Sequence, residues 1–66
     1  MTVYTVNFKR MGNWETFTAA FRELKNARKF AMQDYTDKVV THNFKTKERA
    51  YDFVQNRCSY GYGDFF

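Results

Sequence analysis

Among residues able to do covalent or acid–base chemistry, the chain holds one histidine, His42, and one cysteine, Cys58. A Cys–His dyad needs the two to meet in space, with a third group to orient the imidazole, and the sequence implies no such group. His42 lies between Val40 and Phe44 on an alternating run, which reads as a histidine packed into a strand face. Cys58 falls on the apolar side of a helical repeat, where a thiol serves as a small hydrophobe. No two His or Cys residues have zinc-ligand spacing, and Asp34, Asp37, Glu48 and Asp52 do not follow the calcium-loop pattern. The Gly61-Tyr62-Gly63 cluster follows a helix rather than opening one and lacks a lysine, so it is not a phosphate loop. A 66-residue chain also seldom shapes a closed substrate pocket. The expectation is a protein without enzymatic activity, metal or cofactor.

Binding chemistry is better represented. Lys+Arg number 11 against Asp+Glu 7, a net charge of +4, and aromatic residues make up 21% of the chain. Arg22, Lys25 and Lys29, at i, i+3 and i+7, would form a basic ridge on a first helix. Lys9-Arg10 follows a first strand, and Lys45 and Lys47 follow a second. If those strands are parallel and joined by a right-handed helical crossover, both clusters gather at one edge of the sheet. A basic edge with exposed aromatics suits a single-stranded nucleic acid, with phosphates held by charge and bases by stacking. The other reading of these lysines is a solvated helix face that keeps a small protein soluble.

The tail, Ser59 to Phe66, carries four aromatics in eight residues. Tyr60, Tyr62, Phe65 and Phe66, with Trp14 or Met11, are candidates for rings and side chains left over once a small core is filled, and such residue types concentrate at interface hot spots. The alternative is that the tail caps its own core. Within it, Gly61-Tyr62-Gly63-Asp64-Phe65 resembles the Gly-aromatic-Gly-x-aromatic core of an RNA-recognition-motif strand. It departs from that pattern in having no basic residue directly before Gly61 and no helix after it.

The elements that must position these residues can be read from periodicity. Thr2 to Lys9 alternates, with Tyr4, Val6 and Phe8 on one face and Thr5, Asn7 and Lys9 on the other, which predicts a half-buried strand. Gly12-Asn13 breaks the pattern, and Asn13 is a suitable N-cap. From Trp14 the spacing turns helical: Phe17, Ala20, Phe21, Leu24, Ala27 and Ala31 share one stripe, predicting a helix to about Tyr35. A rival reading ends that helix near Ala27 and makes residues 30–35 a strand, but residues 28–33 lack any β-branched residue. Val39 to Phe44 reads as a second strand, with Val40, His42 and Phe44 on one face. Thr46 can cap a second helix in which Ala50, Tyr51, Phe53, Val54 and Cys58 share a side. The predicted fold is therefore a single two-layer α+β (or small α/β) domain over residues 1–58, in β-α-β-α order, with its small sheet covered by two helices. Residues 59–66 form an appended tail. Two strands make a weak sheet, so a third is expected from the tail, from residues 30–35 or from a second copy of the chain.

The absence of a long apolar run or a signal-like start leads to the expectation of a soluble, cytoplasmic protein with no membrane contact. In size and composition the chain resembles the compact single-domain inhibitors and modulators found in viruses of bacteria. The leading expectation is a small non-enzymatic binding protein that regulates or inhibits a larger protein by occupying an acidic or apolar patch. Tyr60, Tyr62, Phe65 and Phe66 would make the contact, and Arg22, Lys25 and Lys29 would steer it. The alternative is a single-stranded nucleic-acid binder using Lys9, Arg10, Arg22, Lys25, Lys29, Lys45 and Lys47. Homodimer formation would stabilise so small a core under either reading. If the tail is a binding segment, deleting Gly61 to Phe66 should leave the fold intact.

Overall fold

The computed structural model describes residues 1–9, 15–33, 39–58 and 65. The order is β1 (Thr2–Lys9), β2 (Thr16–Phe21), α1 (Leu24–Gln33), β3 (Val40–Asn43) and α2 (Lys47–Arg57). The three strands form one antiparallel sheet in the order β2-β1-β3. The class is thus α+β, as predicted, but the order is β-β-α-β-α.

The third strand comes from the segment expected to be the first half of a long helix. Phe17, Ala19 and Phe21 lie opposite Phe8, Val6 and Tyr4 of β1, so the run Thr16–Phe21 obeys a period of two as well as the helical stripe. Pairing with β1 decides between the two periods, because it satisfies the backbone of both strands and buries Ala19, Ala20 and Phe21 together. The helical half of the expectation holds from Leu24 onward. Residues 30–33 are helical rather than extended, consistent with the absence of β-branched side chains there. Gly12, Asn13 and Trp14, and the proposed strand positions 34 and 35, lie outside the described residues.

Register assigns the sheet two faces. Tyr4, Val6 and Phe8 of β1 share a face with Phe17, Ala19 and Phe21 of β2, and Ala27, Phe30 and Ala31 of α1 pack against it. Val3 and Thr5 share the other face with Ala20 and His42, and Ala50 and Val54 of α2 cover that side together with Phe65. One helix lies on each face, so the domain has three layers where the sequence suggested two. Val3 and Thr5 are buried on one face of β1 and Val6 and Phe8 on the other, so the half-buried strand expected from the sequence holds only at its far end, where Asn7 and Lys9 are exposed. Val3 and Val6 are fully enclosed.

The two layers are filled differently. On the α1 side, the Phe8 ring lies 5.1 Å from Phe30, edge-on, and 5.7 Å from Phe17, while Phe21 lies 5.4 Å from Phe30. On the α2 side, the small residues Val3, Ala20, Ala50 and Val54 surround the Phe65 ring, which is 2% exposed. The start of α2 is capped as its sequence predicts, with the Thr46 hydroxyl accepting the Arg49 N–H at 3.2 Å and Glu48 in the first turn. Among the described residues, no helix is long and apolar enough to cross a membrane.

Candidate functional site

Ala27, Phe30 and Ala31 pack on the Val6 side of the sheet, which turns the opposite side of α1 outward. Lys25, Arg28, Lys29 and Met32 fall at i, i+3, i+4 and i+7 and are all exposed, Met32 at 79%. Lys25 Nζ lies 3.5 Å from Glu23 Oε2, an ion pair between two well-exposed side chains that contributes little. Arg28 and Lys29 have no ion pair among the described residues. One short helix thus presents three cations and a large flexible apolar side chain on a single face.

This face corrects the basic ridge expected from the sequence. Lys25 and Lys29 belong to it, and Arg28 joins them. Arg22 does not, because it precedes the helix and continues β2 with the parity of Ala20, which aims it at the α2 side of the sheet. There it donates to the Tyr51 hydroxyl at 2.5 Å and stands over the Phe65 ring at 5.4 Å from the centroid. The Phe65 ring is 5.1 Å from Tyr51, and Lys47 Nζ lies 5.6 Å from the Tyr51 centroid. Arg22 and Lys47 therefore brace an aromatic pair at the edge of the core.

Nor do the other basic clusters gather at one edge. β1 and β3 run antiparallel, with Thr2 opposite Asn43, so Lys45 and Lys47 follow the strand end nearest Met1. Lys9 stands opposite Thr16 at the far end, about 23 Å away along β1. Arg10 lies outside the described residues, as do Met11, Tyr60, Tyr62 and Phe66. Phe65 is core, so of the four tail aromatics proposed to meet a partner, the one described here is not at the surface.

A second basic surface lies beside α2. An open groove of about 560 Å³ is lined by Phe44, Arg49, Asp52, Phe53, Asn56 and Arg57. The Phe44 and Phe53 rings, 5.1 Å apart, form its apolar floor, backed by His42 at 4.7 Å from Phe53. Asp52 is engaged by its neighbour, with the Asn56 amide donating to Asp52 Oδ1 and to the Asp52 carbonyl, each at 2.9 Å. The sequence reading missed Arg49 and Arg57. Their spacing from Phe53, four residues on either side, was the available signal.

The two nucleophile or acid–base candidates are both engaged in packing. His42 Nε2 is 2.9 Å from the Thr5 hydroxyl, which satisfies that buried polar side chain at the sheet centre. Its ring packs on Phe53. Cys58 is half-buried against the Val3 cluster, its backbone N–H closes α2 on the Val54 carbonyl at 3.0 Å, and burial pushes its thiol pKa up. Among the described residues, no three His, Cys, Asp or Glu side chains gather closely enough to hold a metal ion.

No protein-family model, curated protein or solved structure matches this chain.

Proposed function

We propose that this is a small non-enzymatic binding protein that regulates or inhibits a larger protein by occupying an acidic patch on its surface, with the outer face of α1 as the contact. The observation that carries this reading is the coincidence of Lys25, Arg28, Lys29 and the 79%-exposed Met32 on one face of a helix whose opposite face is fixed to the sheet. Met and Arg are among the residue types enriched at interface centres, and a thioether can adapt to an irregular partner surface. Clustered cations raise the association rate with an acidic partner and set the orientation of docking. A rigidly held helix loses little conformational freedom on binding.

The test places a benzophenone amino acid at position 32 and irradiates the protein in the host extract. The expected result is crosslinking to one predominant protein, through a segment rich in Asp and Glu. Adding the Lys25→Glu and Lys29→Glu substitutions to the same probe should abolish the product. Crosslinks spread evenly over many proteins, or a single product indifferent to charge reversal, would overturn the reading.

A further inference from the structure

The groove beside α2 has a chemistry that the face of α1 lacks: aromatic rings between two cations. Phe44 and Phe53 are each only partly covered, and their rings form the floor. Arg49 and Arg57 are exposed, have no ion pair among the described residues, and stand eight residues apart on the helix, about 12 Å along its axis. The volume, about 560 Å³, falls in the range of small-ligand clefts. Asp52 and Asn56, hydrogen-bonded to each other, also line the groove.

We infer that this groove binds single-stranded nucleic acid, stacking bases on Phe44 and Phe53 while Arg49 and Arg57 hold the flanking phosphates. Charge complementarity selects this occupant. Two separated cations match a backbone with regularly spaced negative charges, and the apolar floor between them matches what lies between phosphates, a flat ring. Asp52 keeps its negative charge while it accepts from Asn56, and the two arginines of the lining outnumber it. The groove and the outer face of α1 lie on opposite sides of the sheet, so either can operate without the other.

The experiment measures fluorescence anisotropy of three labelled ten-mers, oligodeoxythymidylate, oligouridylate and an abasic strand of equal charge, with the full-length protein at several salt concentrations. The base-bearing strands should bind about ten-fold or more tighter than the abasic one, since stacking on the rings is available only to them. The DNA and RNA arms show which sugar the groove accepts. Replacing both Arg49→Gln and Arg57→Gln, which are exposed and should leave the melting curve unchanged, is expected to flatten the log–log salt slope by about 1.4, the value for two phosphates. Phe53→Leu keeps an apolar side chain in the floor but removes the ring, and should weaken only the base-bearing strands. Equal binding of the abasic strand would overturn the inference, as would displacement of the strands by polyglutamate at equal charge, which would mark an acidic-peptide site. An unaltered salt slope in the double arginine variant, or failure of both base-bearing strands to bind, would overturn it too.

Discussion

Each helix carries three cations, Lys25, Arg28 and Lys29 on α1 and Lys47, Arg49 and Arg57 on α2, but α2 also carries Glu48 and Asp52, and the two present their charge in different ways. α1 offers three cations on a convex face with one flexible apolar side chain at its end. α2 offers two arginines on either side of a recessed pair of rings. The difference originates beneath them. Under α1, the layer is built from interlocking phenylalanines of both the sheet and the helix, so the aromatic residues are spent inward and the outer face is left to charge. Under α2, valine and alanine with Phe65 fill the core, and Phe44 and Phe53 are displaced to the margin, where they meet water. Where a small domain places its rings thus decides which of its basic surfaces can stack a flat ligand and which can only meet another surface.

The largest effect should come from breaking the α1 layer. Phe8→Ala removes the ring that contacts both Phe17 and Phe30, at a cost of about 3–5 kcal/mol, comparable to the whole stability of a 66-residue domain. Circular dichroism should show a largely unfolded protein. A cooperative melt near that of the parent would mean the layer is less tightly packed than described.

A smaller loss is expected on the α2 side. Deleting Gly61 to Phe66 removes the enclosed Phe65 ring and releases Arg22 and Tyr51 from it, so the protein should melt many degrees lower. This reverses what a purely external binding tail would do. A truncated protein with an unchanged midpoint would return Phe65 to the surface. Smaller again is Thr46→Ala, which leaves the Arg49 N–H without its cap and should cost about 1 kcal/mol by denaturant titration.

Cys58 sharpens the comparison at the end of α2 without altering the fold. Burial raises its pKa, so the native thiol stays protonated where an unfolded one ionises. Its contribution to stability is present below the unfolded pKa and is lost as pH rises through the raised folded value. At pH 8 the native protein should react with a disulfide reagent more slowly than its urea-unfolded form, by stopped-flow absorbance. Equal rates would place the thiol at the surface.

Much of this architecture was legible in the sequence. β1 showed one buried face through Tyr4, Val6 and Phe8 but not the burial of Val3 and Thr5 on the other, and β3 showed its existence although Val40 is exposed. α2 showed its start through Thr46 and its inner side through Ala50, Tyr51, Phe53, Val54 and Cys58. β2 was not legible, because Phe17, Ala20, Phe21 and Leu24 satisfy a helical stripe while Phe17, Ala19 and Phe21 satisfy a strand. Only the partner on β1, which local periodicity does not contain, separates the two. That misreading propagated to the site. With a helix starting at Trp14, Arg22 joined Lys25 and Lys29. With the helix starting at Leu24, Arg22 turns to the opposite face and Arg28 takes its place. The groove arises from the antiparallel return of β3 beside α2, a long-range relation that the spacing of Arg49, Phe53 and Arg57 hints at but does not specify.

The central claim is that partner binding belongs to the outer face of α1 and is separable from the α2 groove. The most direct test carries the position-32 photo-crosslinker in two charge-reversed proteins, one with Lys25→Glu and Lys29→Glu, the other with Arg49→Glu and Arg57→Glu. The account predicts that the first loses the crosslinked partner while the second retains it at close to parental yield. Loss in the second protein, with the first unaffected, would contradict it.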